Sequence, residues 1–393
     1  MKLTQARARH LWIHAQRLDE VSPFGSGPQA TVDAIDHLGY VQIDTIHVIE
    51  RCHHHILYSR IPKYHKQDLH TAQTLNKEVF EYWTHALAYI PTKDFRFFMN
   101  DMKRRRLQPS RWYQSVKKTD LQKVLRLIKN EGALSIRDIE DDVLVEKDHP
   151  WVSRKPSKKA LDLAFNGGLI TVSERLGMLK KYDLVDRHFD WEKKPKAATT
   201  KEVFNYLLDR ALRSQAFVSL DSICHLYPSR KPEIHRLIEQ RVRKKELVEI
   251  QIDGISKYQT WIRPEELEKE LKPRPLTHIL SPFDPLIIQR KRLQAIFAYE
   301  HRFEAYIPKE KRVYGYFALP VLVDDEIVAA LDLKTDRQQQ KVLIQKWTWL
   351  GKHKSRNNKR RIEEELHRFE KFQLAKEEGH FGAGLSKAPQ VRK

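Results

Sequence analysis

Apolar residues near the start of the chain recur at helical spacing: Ala8, Leu11, Trp12, Ala15 and Leu18 form one stripe, with Thr4 placed to cap it. The Pro- and Gly-containing stretch from Ser22 to Pro28 ends that helix. A second helix is predicted from Thr31 to Leu38, with Gly39 placed to stop it. The period then changes. Tyr40-Val41-Gln42-Ile43-Asp44-Thr45-Ile46 alternates apolar and polar side chains, which predicts a half-buried strand carrying Gln42 and Asp44 on one face and Val41 and Ile43 on the other. Helical patterns follow at Lys77 to Leu87 and Phe95 to Arg106, before a basic, Pro-containing boundary between Gln108 and Lys118.

From Asp120 the pattern resolves into a unit: a helix from Leu121 to Asn130, a turn at Gly132, a short helix after Ser135, a basic helix from Ser157 to Asn166, then Leu169 to Ser173 and Leu179 to Tyr182 around Gly177. Three helices and a hairpin in that order make a winged helix. The order recurs in helices from Lys201 to Arg213, Leu220 to Leu226 and Lys231 to Lys245, followed by strands around Val248 and Tyr258 split by Asp253-Gly254, a strong hairpin signal. Beyond the Pro-rich linker Lys272-Pro273-Arg274-Pro275, the stretches Arg312 to Phe317 and Glu326 to Ala329 read as strands. A cationic run from Lys352 to Arg361 leads into a helix carrying Ile362, Leu366 and Phe369, and the last fifteen or so residues read as disordered. The fold class is therefore α+β: tandem winged-helix (helix-turn-helix) domains, then a small C-terminal β-domain. The domain plan is 1–117, 118–195, 196–271 and 272–352, with a basic helix and tail over 353–393.

Charge sharpens this plan. The chain has 72 Lys and Arg against 52 Asp and Glu, a formal charge of +20, which attracts polyanions and makes nucleic acid the leading partner over a merely basic surface. Basic helices carrying Lys158 and Lys159, and Arg236, match what a recognition helix or a phosphate-tracking surface requires. Two cysteines, Cys52 and Cys224, are too few for a disulfide framework, which points to a reducing compartment. The basic, amphipathic start reads as a helix rather than a signal peptide, and no run of about 18 apolar residues would span a bilayer. The expected location is the cytoplasm, on the nucleoid, and a clamp of four modules can work as a monomer.

Within the alternating strand, Asp44 can take a proton from a water that Gln42 orients, although two polar residues on an outer strand face need no such role. The run Arg51-Cys52-His53-His54-His55, with Arg60 after it, invites a metal reading. Three adjacent histidines cannot all face one ion from regular structure, however, so the expectation is no metal and a role lining a DNA cleft or in packing. Tyr82, Trp83 and His85 could stack on or wedge against a base, or pack inside. Ser281-Pro282-Phe283-Asp284-Pro285 reads as a fixed turn, with a weaker catalytic alternative for Asp284. Neither a phosphate-binding Gly-rich loop with its lysine nor a Gly-x-Ser-x-Gly elbow is present.

The string YVQIDTIHVIERCHHHILYSRIPKY resembles the signature of winged-helix crosslink-repair DNA glycosylases of the YcaQ type, and FEYWTHALAYIP, LSPFDPLIIQRKR and YIPKEKRVYGYFALPVLVDDEIVAALDLK agree with it. The likeness spans residues 1 to about 350. It implies three winged helices and a β-barrel-like domain around a basic cleft. It also implies cofactor-free hydrolysis of N7-alkylguanine glycosidic bonds in double-stranded DNA, including unhooking of interstrand crosslinks. The catalytic motif falls on Gln42, Ile43 and Asp44, in its Asp form. Relatives carry Gly-Arg where this chain has Ala329-Ala330. A non-catalytic winged-helix regulator is the competing reading, and an RNA-binding protein a weaker third.

Overall fold

The computed structural model describes residues 1–139, 153–271 and 274–375; linker residues 272–273 and the tail beyond 375 lie outside them. The chain opens with a two-residue strand, β1 (Lys2–Leu3), and enters α1 (Gln5–Ala15), where the Thr4 hydroxyl accepts from Arg7 N at 3.1 Å. α2 (Gly27–Leu38) ends on Gly39 at φ 78°. Glycine is needed there twice over, for the left-handed cap and because the Arg210 side chain occupies the place of a Cβ.

β2 (Val41–Gln42) follows, then α3 (Cys52–Tyr58), α4 (Lys66–His70), β3 (Val79–Trp83) and β4 (Leu87–Pro91), with the strands in the order β2-β4-β3. The helix expected over Lys77 to Leu87 is instead a hairpin. Phe80 and Tyr82 pack into one apolar cluster while Val79 and Tyr89 pack into another. A strand buried on both faces loses the alternation that would mark it in a sequence. Likewise the helix expected from Phe95 is a 3-10 turn over Thr92–Phe97 and then α5 (Met99–Leu107).

The next stretch runs α6 (Lys118–Glu131), β5 (Leu134–Ser135), α7 (Pro156–Asn166), β6 (Ile170–Leu176), β7 (Leu179–Leu184) and α8 (Val185–Phe189), with sheet order β5-β7-β6. A similar succession follows. α9 (Thr200–Gln215) starts at a capping box between Thr199 and Glu202, then come β8 (Phe217–Val218), α10 (Leu220–Ile223), α11 (Lys231–Arg243), β9 (Val248–Ile252) and β10 (Ile255–Ile262). α10 stops three residues short of the expected Leu226. β9 and β10 are antiparallel, and β1 joins β9 in parallel, Lys2 opposite Gln251, giving the order β1-β9-β10-β8.

After α12 (Pro264–Glu268) come β11 (Thr277–Ile279), α13 (Arg290–Phe297), β12 (Ala318–Val323), β13 (Glu326–Asp336), β14 (Lys341–Trp349) and α14 (Arg356–Leu374). The last four strands form an open antiparallel sheet in sequence order, and among the described residues its edges do not pair to close a barrel. α14 packs on this sheet, and its Ile362, Phe369 and Phe372 join the apolar cluster that also holds Ile35, Val41 and Tyr89. The segment Arg312 to Phe317, expected as a strand, is irregular. Two carboxylates take its backbone donors: Glu304 accepts from Val313, Tyr314 and Gly315 at 2.8, 2.7 and 3.1 Å, and Asp332 from Tyr316 and Phe317 at 2.8 and 3.1 Å. Among the described residues no helix is long and apolar enough to cross a membrane.

Candidate active site

The short β2–β4 pairing sets which way Gln42 points. Val41 lies opposite Tyr89 and faces the apolar cluster, whereas Gln42 lies opposite Ala88 on the other face. Gln42 is buried, and its Oε1 meets His85 Nε2 at 3.0 Å, while its main-chain carbonyl accepts from the Cys52 thiol at 3.1 Å. His85 stands on the β3–β4 turn, its ring edge-on to Tyr40 and His225 at centroid distances of 5.1 and 5.0 Å. Burial, reinforced by His225 and Arg210, pulls its pKa down to about 3, so the ring is neutral. With the Gln42 oxygen turned to it, Nε2–H donates, and the Gln42 amide NH2 remains for another acceptor.

Asp44 departs from the expected strand. Ile43 N still bonds Leu87 O at 2.8 Å, but the ladder ends at Gln42, and Asp44 folds its Oδ1 onto Ile46 N at 2.9 Å. That side-chain turn leaves Asp44 half-buried, with Oδ2 making no hydrogen bond among the described residues.

His85 also lines a cavity of about 470 Å³ enclosed by Tyr40, Trp83 and Thr84 on one side and by Arg104, Arg105, Arg210, Tyr227 and Arg230 on others. Arg210 lies over the rings of Tyr40 and Tyr206 at 5.4 and 5.5 Å. The Tyr227 hydroxyl donates to Thr84 O at 2.5 Å and its ring carries the Arg230 guanidinium at 4.3 Å. A polar site thus sits beside a hollow walled by arginines, of which Arg104 and Arg105 pair with Asp101 of the same lining while Arg210 and Arg230 lie over tyrosine rings, a balance of charge that favours a polyanion.

The other residues singled out in the sequence divide. Trp83 is partly exposed on this cavity, its Nε1 donating to Asn166 Oδ1 at 2.5 Å. Tyr82, offered as a stacking residue, is buried with its hydroxyl on Asn166 O at 2.7 Å. Arg60 is not in a cleft. It is fully buried, holding Asp284 through two bonds of 2.8 and 3.1 Å and Gln16 through two of 2.9 Å, and Asp284 in turn accepts from Leu286 N. Arg51, His53 and His54 line a smaller cavity of about 190 Å³ on the Tyr89 side of the sheet. The three histidines take separate partners: the His53 ring lies 5.6 Å from Tyr89, His54 Nδ1 is 2.7 Å from the Tyr64 hydroxyl, and His55 Nε2 is 2.7 Å from Ile279 O. Lys159 is buried and donates to Ser115 Oγ, while Lys158 pairs with Asp162 and the exposed Arg236 with Glu233 on the same helix; none of these three lines the large cavity. Arg210, His225 and Tyr227 line this cavity without any motif in the sequence to single them out. Only the bulk of positive charge hinted at the first, and nothing local marked the other two.

The family model described as DNA glycosylase AlkZ-like matches residues 35–372. The chain belongs to that family. It is a DNA N-glycosylase, and the reading as a non-catalytic regulator falls away. Among solved structures, the Streptomyces sahachiroi DNA glycosylase AlkZ is similar to it in fold, with a TM-score of 0.61 at 13% identity over 95% of this chain and 97% of that one. The glycosylase therefore acts on DNA in repair.

Proposed function

We propose that this glycosylase removes N7-alkylated guanines from double-stranded DNA and unhooks interstrand crosslinks, with Asp44 and Gln42 directing the attacking water. Alkylation at N7 makes the base cationic, so the N9–C1′ bond breaks with the electron pair going to the base, which leaves neutral and needs no general acid. The sugar becomes oxocarbenium-like. Asp44 offsets that charge and takes a proton from a water whose oxygen bonds to C1′. Gln42, its carbonyl occupied by His85, uses its amide NH2 to hold that water. No metal or organic cofactor enters this scheme.

The single observation that carries the reading is the Gln42–His85 bond of 3.0 Å at the wall of the arginine-lined cavity. The finer architecture belongs to the same proposal: the successions from α6 to β7 and from α9 to β10 are winged helices that hold the backbone, and the protein works as a cytoplasmic monomer on the nucleoid.

The test is single-turnover incubation with duplex DNA containing N7-methylguanine, scored as alkali-labile abasic sites. Asp44→Asn is expected to lower the rate by about 10² or more with DNA binding retained, and Gln42→Ala by a smaller factor. Release at the wild-type rate by Asp44→Asn would remove the carboxylate from the mechanism.

A further inference from the structure

The loop between α10 and α11 combines two costly features in one residue. Leu226 has φ 62°, in the left-handed region that a side chain bearing a Cβ avoids. It is the third residue of a turn closed by Tyr227 N on Cys224 O at 2.6 Å, a position that favours Gly or Asn. Its side chain is 70% exposed, although leucine gains most when covered. Strain in a surface loop relaxes unless the surroundings hold it. Here they do: on one side the His225 ring packs on His85, and on the other the Tyr227 hydroxyl is bonded to Thr84 O beneath the Arg230 guanidinium.

Position adds the third observation. His225 and Tyr227 face the arginine-lined cavity beside Gln42. Leu226 itself borders a second concavity of about 480 Å³, whose wall includes the exposed Arg290 and Lys291, and His225 lines both. A rigid apolar tip therefore stands on a ridge with cationic hollows on either side.

We propose that Leu226 is a wedge that enters the base stack of duplex DNA beside the target nucleotide. Apolar side chains unstack a base step when the phosphates are held on both sides, and two cation-walled hollows provide that hold. An exposed leucine gains cover in the stack that the protein alone does not give it. The wedge is also mechanically joined to the site, since Tyr227 and His225 both rest on the Thr84–His85 turn that meets Gln42. The inference depends on DNA as the partner, which the family establishes, and is independent of the roles given to Gln42 and Asp44.

The experiment uses the full chain and three variants. Leu226→Gly and Leu226→Asn suit the left-handed backbone, and Leu226→Ala removes the side chain beyond Cβ. The probe is a duplex with 2-aminopurine next to N7-methylguanine, whose fluorescence rises when the step is unstacked. Single-turnover release is measured in parallel on the duplex and on the lesion strand alone. All three variants are expected to lose most of the fluorescence rise and to lower the ratio of duplex to single-strand release by about tenfold, with the thermal midpoint of Leu226→Gly at or above wild type. A full fluorescence rise and an unaltered ratio in Leu226→Gly would overturn the wedge. So would a loss of thermal stability in both Leu226→Gly and Leu226→Asn, which would make Leu226 a packing residue. A wild type that unstacks DNA in a Leu226-dependent way but releases no base would uphold the wedge while removing the catalytic reading.

Discussion

On one face of the β2-β4-β3 sheet, Val41 and Tyr89 close over an apolar cluster that extends to Phe369 and Phe372 of α14; on the other, Gln42 and His85 stand at the edge of a hollow walled by arginines. Histidines serve both faces. His55 is bonded to Ile279 O inside the first, and His85 to the Gln42 amide beside the second. Burial pulls the pKa of His55 down to about 4 and that of His85 to about 3, so protonation does not separate a packing histidine from one at a site. Access and partner do. The arginines divide in the same way, Arg60 sealed against Asp284 and Arg210 spread over Tyr40 at the cavity.

The largest effect should come from breaking the dry side. Arg60→Ala strands the Asp284 carboxylate in the interior and is expected to cost about 3–5 kcal/mol in denaturant unfolding, while release per folded molecule persists. A drop below about 1 kcal/mol would mean that water reaches the pair. The second effect is pH. His37 and His55 are held near 4 and His54 near 3, in each case by burial, so between the ordinary value of 6.5 and those values the unfolded chain binds protons that the folded one does not. Stability is then complete above pH 6.5 and declines as pH falls toward 4. Thermal midpoints that stay level from pH 7 to 5 would contradict this. The smallest effect tests the wet side. His85→Phe keeps a ring against Tyr40 and His225 but cannot donate to Gln42, and should slow base release about tenfold with unfolding free energy within about 1 kcal/mol of wild type. Equal rates would detach His85 from the site.

Local signals made much of the chain readable. The Thr4 cap, the Gly39 stop, the helices around Val124 and Ile234 and the Asp253-Gly254 hairpin all rest on neighbours in sequence, and the structure has each. What sequence hid depends on distant partners. Glu81 lies in a buried strand because Arg175, far along the chain, donates to its Oε2 at 2.7 Å, and without that partner a glutamate among apolar residues suggests a helix face. Arg60 looked free for DNA because Asp284 is 224 positions away. Gln42 and Asp44 were legible as polar positions in an alternating stretch and as a resemblance, yet the fold gives them different surroundings: an amide fixed by His85 and a carboxylate folded onto its own loop.

The pairing of Lys2 with Gln251 and Leu3 with Ile252 also orders events during synthesis. A ribosome that has delivered α1 has delivered an apolar stripe whose cover does not yet exist, because Trp12 packs on Phe297, 5.8 Å away between ring centres. At about 5–20 residues per second, the gap between making Trp12 and making Phe297 is roughly 15 to 60 seconds. Throughout that interval the apolar stripe of α1 stays without its cover, so a helix made early is among the later parts to be put away.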